Sequence, residues 1–434
     1  MHTIWRLLYN VIFIPPFWAA LHVLGLVNRK VARGIAGRKT LFTDLEKTMA
    51  SMAAGPRVWV HASSMGEFEQ AKPIIAALKT RHPDVRVIAS FFSPSGYENS
   101  RKYTLADAIV YIPFDSPGGA RRFIDLIRPD VAVMVRYDIW PNHIWELRAR
   151  AVPVIIANAT MSRRTLRRLP LLRSMHQSVY NSIDSILTVA DSDVAAFRAF
   201  RLKRPTVKAI GDTRYDQVAT RSAEARKRHI VPPAVITGKK VIVAGSTWPE
   251  DEAVLLPAFL KLRTERSDLL LILTPHEPTV DHCENIEREL TGHVSTIRFS
   301  ALNEYAGQDV IIVDSIGILL VLYASAHLAY VGGSFRQGIH NVLEAAVYGI
   351  PVLFGPKHRN SHEPLMLVER GGGFIVTNEE EFTTTAGNLL RDDRIRTTAG
   401  ERASSFVQSH LGATEQILHF IEPHLITRSN GTSQ

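Results

Sequence analysis

The chain has 434 residues, 46% of them hydrophobic and 21% charged, with a formal net charge of +9. That length exceeds what one hydrophobic core usually supports, so two domains are expected, and the composition excludes a disordered or low-complexity protein. Cys283 is the only cysteine, which excludes an internal disulfide and fits a reducing compartment; no Cys/His spacing suits zinc, so no metal site is expected.

Residues 7–27 contain no Lys, Arg, Asp or Glu, and Arg29, Lys30, Arg33, Arg38 and Lys39 follow them. An apolar run of this length approaches the thickness of a bilayer, and the basic flank would keep the rest of the chain on the cytoplasmic side. Pro15 and Pro16 disfavour a straight helix. A true span and a kinked helix lying in one leaflet therefore both stay open, beside a third reading as a buried domain cap. Across residues 1–56 seven basic residues face two acids, so much of the positive surplus sits beside this segment. An anionic membrane surface explains that placement better than nucleic acid, for which no aromatic–basic motif is present.

From Arg57 onward short apolar runs alternate with helical patterns. Strands are expected at Arg57–His61, Val85–Phe91, Ala108–Ile112, Val131–Val135, Val154–Ala157, Ser185–Val189 and Val207–Ile210, with helices such as Glu67–Lys79 and Gly118–Ile127 between them. A second series begins at Lys240–Ala244 and continues through Leu269–Leu273, Val310–Val313, His327–Val331, Pro351–Phe354 and Gly373–Val376. The runs are continuous rather than alternating, as strands covered on both faces require. The expected fold is α/β, with two doubly wound, Rossmann-like parallel-sheet domains facing a cleft and an N-terminal membrane-associated helix. The expected boundaries are an anchor at 1–40, a first domain at 41–216, a linker at 217–239, a second domain at 240–426 and a loose tail at 427–434.

Ligands in such sheets bind beyond the carboxyl ends of the strands, so loops that follow strands were the places to look. His61–Glu67 follows the first strand and opens a helix; Ser63, Ser64 and Gly66 suit the turn. Glu67 stands in the first helical turn, either as a general base or only as a partner of the helix dipole. Ser93, Ser95 and Gly96 form either an anion cradle or an ordinary turn. Arg136 and Asp138, at the end of an apolar strand, either face a ligand or pair with each other. Ser246 and Thr247 follow the strand at Lys240–Ala244, and Ser246 is either a phosphate ligand or a helix N-cap. Val331–Gly355 reads as strand, glycine-rich loop, helix, Gly stop and strand. There Gly332 and Gly333 would let backbone approach a phosphate, a helix opening at His340–Asn341 would point its N–H groups at it, and Glu344 would reach a ribose. The basic run Arg163, Arg164, Arg167, Arg168 and Arg173 is a solvated helix face or a grip on anionic head groups.

As an ordered set these segments, with Ile139–Asn142, Gly211–Asp216, Gly245–Thr247 and Pro351–Pro356, resemble the 3-deoxy-D-manno-octulosonic acid (Kdo) transferases of lipopolysaccharide synthesis. The resemblance runs from the N-terminal segment to about Phe374. It implies a GT-B fold and inverting transfer of Kdo from CMP-Kdo to a lipid A precursor (lipid IVA) at the cytoplasmic face of the inner membrane. It further implies that Glu67 is the base, that Ser63, Ser64, Gly66, Ser93, Ser95, Gly96 and Asp138 serve the acceptor, and that Ser246, Thr247, Gly332, Gly333, Ser334, His340, Asn341 and Glu344 serve the donor. No cofactor beyond the donor substrate is implied. Where the family commonly has Glu-Thr-Glu before Trp-Pro, this chain has Arg136-Tyr-Asp138. The rival readings are a GT-B transferase using a UDP-sugar and a lipid-linked acceptor, and a non-catalytic nucleotide-binding membrane scaffold.

Overall fold

Strands whose consecutive residues are all apolar need cover on both faces, and alternation along each strand sends successive side chains to opposite layers. In the computed structural model, which describes residues 2–162, 165–336, 338–358 and 361–426, two sheets are built this way. The first contains β1 (Arg57–Ala62), β2 (Arg86–Phe91), β3 (Ala108–Tyr111), β4 (Val131–Val135), β5 (Val154–Ala159), β6 (Ser185–Thr188) and β7 (Thr206–Ala209), in the order β3-β2-β1-β4-β5-β6-β7. All its pairs are parallel. Trp59, Ile88, Ala132 and Ile156 pack into one layer, while Val58, Val60, Val87, Val133 and Ile155 pack into the other.

The second sheet contains β8 (Lys240–Thr247), β9 (Leu269–Pro275), β10 (Thr296–Arg298), β11 (Val310–Ile312), β12 (Leu328–Val331), β13 (Val352–Phe354) and β14 (Gly373–Ile375), in the order β10-β11-β9-β8-β12-β13-β14. It too is wholly parallel. In each sheet the strand order reverses direction next to the first strand, β1 or β8, and this reversal is where doubly wound sheets bind ligands. The elements expected to alternate are all present, and β10 is an additional edge strand.

The chain divides into two compact units, Met1–Gln217 with Leu411–Gln434, and Val218–His410. The segment expected to be a linker contains most of a helix, Thr213–Arg226, and a short one, Pro233–Ile236. The last helices, placed by the sequence reading in the second domain, pack with the first. Ile417, Leu418, Ile421 and Leu425 lie in the same apolar layer as Phe68 and Ile74. Asp216 fixes the return, its carboxylate accepting the N–H groups of Gly412 and Thr414 at 2.7 Å each, where a helix starts at Ala413. Ending the chain at His410 is expected to unfold the first unit. Four buried aliphatic side chains contribute about 6–12 kcal/mol, comparable with a whole domain's stability. Circular dichroism and soluble yield of the truncated chain measure this. The expected tail, 427–434, lies outside the described residues, as do Arg163 and Arg164 of the basic run.

Residues Thr3–Val27 form one continuous helical run, long and apolar enough to cross a membrane, and none of its residues is fully buried. Pro15 and Pro16 cannot donate to the carbonyls four residues back. The turn before them widens accordingly: Tyr9–Phe13 is π-helical, with Ile14 N–H bonded to Tyr9 O. After Asn28, whose side chain caps the next helix at Lys30 and Val31, Arg29–Ala36 turns back along it.

Candidate active site

In the first unit the loop after β1 is held by reciprocal capping. Ser64 caps the helix Met65–Arg81, and Glu67, three residues on, reaches back so that its Oε2 accepts the N–H of Ser63 at 2.6 Å. This places the Glu67 carboxylate inside the turn rather than on the outer helix face; the residue is 6% exposed. Its Oε1 has no protein partner among the described residues and is not sealed from solvent. Burial raises the Glu67 pKa above its ordinary value, and the negative charge of Asp138 adds to the rise. The Ser63 N–H, His61 and Arg136 oppose it without reversing it.

Asp138, just past the end of β4, is tied to the sheet by a relay through β1 and β2. Trp59 Nε1 donates to Ser90 Oγ at 2.8 Å, Ser90 Oγ lies 2.9 Å from His61 Nδ1, and His61 Nε2 lies 3.0 Å from Asp138 Oδ2. The serine accepts from tryptophan, so its own proton is free for His61 Nδ1, and His61 Nε2–H donates to the carboxylate. Trp140 Nε1 donates to the same oxygen at 3.2 Å. Burial works to raise the Asp138 carboxyl, but the bonds from His61, Ser63 and Trp140 and the attraction of His61 hold it below its ordinary value. Two neighbouring carboxyls are thus pushed apart, Asp138 ionised first and Glu67 poised higher, the pattern of an acid/base site. Arg136 and Asp138 form no ion pair with each other among the described residues. Arg136 instead sits in the left-handed region at φ 65°, with its Nε buried and unpaired.

Ser93, Ser95 and Gly96 are brought beside this loop, chiefly as structure. Ser93 caps the helix Pro94–Ser100 through the Gly96 N–H, and its own N–H bonds to Ser63 O at 2.9 Å. A side chain on Gly96 would meet Phe91 at 2.8 Å and the Ser64 backbone at 3.2 Å, so glycine lets the two helix starts approach. Gly66 has open space where a side chain would stand.

In the second unit the glycine-rich loop after β12 meets the loop after β8. Ser246 takes φ 55° at a register shift of β8, and the N-cap of the helix Pro249–Glu265 is Trp248, so Ser246 is not that cap. Thr247 is fully buried and donates to Glu252, which is also paired with His282. Asp251 is the centre of the arrangement: its carboxylate accepts from Tyr330 OH and Gly333 N at 2.8 Å and from Trp248 N at 3.0 Å. A side chain on Gly332 would lie 2.3 Å from Ser246 O, and Gly333 has φ 92°. The N–H groups of Gly332 and Gly333 are directed inward, to Gly245 O and Asp251, and Ser334 Oγ accepts the Gly355 N–H at 2.6 Å. The paired glycines therefore build the loop, and their N–H groups are already engaged.

His340 stacks on His276 with ring centres 4.4 Å apart and accepts from Trp248 Nε1 at 3.2 Å. Burial and the neighbouring His276 lower its pKa, keeping the ring neutral. The helix expected to open at His340–Asn341 begins later, at Leu343, where Asn341 Oδ1 accepts the N–H; it spans only Leu343–Ala346. Glu344 lies 3.6 Å from Arg221. The sequence reading missed Asp251, Trp248, His276, Arg336 and Lys357. Arg336 lies over Trp248 at 4.0 Å, and Lys357 Nζ donates to the carbonyls of Phe335 and Arg336. Arg336 belongs to the motif already singled out, so a search for positive charge beside the glycines would have found it; Lys357 lies just beyond that motif and is brought back to it by the fold. Among the described residues no group of three or more His, Cys, Asp or Glu is set to hold a metal ion.

The architecture recurs in solved nucleotide-sugar proteins. UDP-GlcNAc 2-epimerase from Neisseria meningitidis superposes with a TM-score of 0.60 at 13% identity, covering 85% of this chain and 100% of that one. MurG of Acinetobacter baumannii superposes at 0.52 with 15% identity, covering 85% and 99%. Two doubly wound parallel sheets of this kind define the GT-B fold. Sequence narrows the class: a family model for 3-deoxy-D-manno-octulosonic-acid transferase matches residues 36–217. The 3-deoxy-D-manno-octulosonic acid transferase of Aquifex aeolicus is 31% identical over 77% of this chain and 86% of its own length, and that of Haemophilus influenzae 26% identical over 97% and 99%. The chain belongs to the Kdo transferase family.

One pH experiment follows from the paired carboxyls. In Asp138→Asn the charge that helps raise Glu67 is gone, so the acid limb of kcat/KM against pH is expected to move to lower pH. A limb that stays in place would show that Glu67 does not set it.

Proposed function

We propose that this enzyme transfers Kdo from CMP-Kdo to a hydroxyl of a lipid A precursor, lipid IVA, with inversion, in lipopolysaccharide synthesis at the cytoplasmic face of the inner membrane. The observation that carries this reading is the buried, raised Glu67 carboxylate at the strand-to-helix turn of a Kdo transferase family member. Glu67 takes the proton of the acceptor hydroxyl through its unpaired Oε1. The freed oxygen attacks the anomeric carbon of Kdo from the face opposite the leaving group, and the bond from that carbon to the CMP phosphate oxygen breaks. CMP departs with the electron pair. Ser63, Ser64, Gly66, Ser93, Ser95 and Gly96 border the acceptor, and Asp138 orients it.

On the donor side, Ser246, Thr247, Ser334, Asn341 and Glu344 surround the nucleotide on a loop shaped by Gly332 and Gly333 and backed by His340. Because the glycine N–H groups are engaged, Arg336 and Lys357 supply the positive charge that the departing phosphate requires. The test is mass spectrometry of tetraacylated lipid A precursor after incubation with purified enzyme and freshly generated CMP-Kdo. A mass gain of one or more Kdo units supports the assignment. No gain beside an active control enzyme would discard donor or acceptor, and UDP-sugars would be screened next.

A further inference from the structure

The N-terminal run is long enough to span a bilayer, but from Trp5 to Trp18 it is docked on the folded domain. Near its start, Trp5 Nε1 donates to Ser174 Oγ at 3.1 Å and Arg6 pairs with Glu146. One turn on, Tyr9 OH donates to Asp115 Oδ2 at 2.8 Å, and Asn10 and Asn142 exchange amide bonds at 2.8 and 2.9 Å. Asp115 is fully buried and Glu146 is 3% exposed, so these are interior groups of the first unit. Farther along, Phe17 packs on Trp140 and Trp18 on Phe114. Past the turn at Asn28, Arg33 pairs with Glu98, and Arg38 donates to Ile112 O and Phe92 O at 2.8 Å each.

A 25-residue helix is about 37 Å long, against about 30 Å for the hydrocarbon core. In a spanning orientation the two ends would lie on opposite sides of the membrane. That orientation would pull the stretch from Trp5 to Trp18 off the domain, and Arg6, Tyr9 and Asn10 would leave buried partners unpaired. What the domain leaves uncovered is apolar. Leu7, Val11 and Ile12 are exposed along the helix, and Leu26 and Val27 are 86% and 82% exposed at the tip of the hairpin with Arg29–Ala36. A side chain on Gly25 would lie 2.9 Å from Ile35, so the two arms of that hairpin are closely packed. Arg29 and Lys30 stand exposed immediately behind the apolar tip.

We infer that this segment is an in-plane anchor: it stays docked on the first unit and inserts its outer face and the Leu26–Val27 tip into one leaflet of an anionic bilayer, with Arg29 and Lys30 at the head groups. The N-terminus then lies on the same side of the membrane as the catalytic units. This inference rests on the membrane location proposed above.

The full chain carrying Cys283→Ala and Thr3→Cys, expressed in a Gram-negative host, is treated with a membrane-impermeant maleimide. No labelling of intact spheroplasts, with labelling of the membrane fraction after lysis, is the expected result. Labelling from outside would overturn the inference and leave the membrane location standing. Recovery of the enzyme in the soluble fraction would overturn both. In a second measurement, purified full chain is sedimented with phosphatidylglycerol–phosphatidylethanolamine vesicles. Leu26→Asp with Val27→Asp is expected to weaken binding by about tenfold or more at an unchanged melting temperature, and Arg29→Glu with Lys30→Glu to abolish the preference over neutral vesicles. Undiminished binding by the tip variant would also overturn the inference.

Discussion

Glu67→Gln is expected to lower kcat by about 10²–10⁴-fold while leaving the donor KM nearly unchanged, because it removes a proton acceptor and keeps the shape of the turn. The amide oxygen can still accept the Ser63 N–H, so the loop remains closed. The same substitution is expected to stabilise the fold at neutral pH. The folded-state pKa of Glu67 lies above its ordinary 4.5, so as pH rises the unfolded chain loses this proton first and the native state binds more protons. Stability therefore falls between the ordinary and the raised value, and the deficit is complete above the raised one. Glutamine has no proton to lose. Thermal melts of the variant should exceed wild type at pH 8 and converge with it below pH 4. A variant that is inactive but melts like wild type at every pH would argue that the carboxyl carries no such strain.

Asp251→Asn is expected to cost about 2–5 kcal/mol and to weaken donor binding together with stability. One carboxylate oxygen, Oδ2, serves both Trp248 N and Gly333 N, and the other serves Tyr330 OH. An asparagine cannot accept all three bonds, since half of its head group is a donor, and at least one buried donor must lose its partner. The Gly333 bond positions the glycine-rich loop, so its loss should raise the donor KM beyond what the stability change alone predicts. Urea melts and a CMP-Kdo titration separate the two effects. A large stability loss with unchanged donor KM would show that the loop is held by its other contacts, such as the Gly332 N–H to Gly245 O.

The sheets were legible because buried parallel strands leave long apolar runs. Val131–Val135 and Val310–Val313 could hardly be read otherwise. The edge strand β10 was not, since Thr296–Arg298 is partly exposed and has no apolar run to mark it. Glu67 stood out by position, but its burial comes from reciprocal capping with Ser63 and Ser64, and its raised pKa comes from that burial first and then from Asp138, far away in sequence. The relay through Trp59, Ser90 and His61 was invisible for the same reason: it runs between β1 and β2 to the residue beyond β4, and only the fold brings these strands into register. The glycine pair misled in a narrower way. Paired glycines permit close approach of a phosphate or of another backbone, and here the approach is by the β8 loop at Ser246. The return of the last helices was hidden because an amphipathic helix does not say which domain will cover it. Asp216, in one of the segments that carry the family resemblance, caps that returning helix.

That return has a consequence for how the protein is made. The first unit is discontinuous, and its final layer comes from residues after Leu411. During synthesis the second unit is complete on a single stretch of nascent chain, whereas the first must wait, with part of its apolar face open, until Ile417–Leu425 have emerged. The unit that holds Glu67 is thus the later of the two to close, although most of it emerges first, and through that interval it is the natural client of a chaperone.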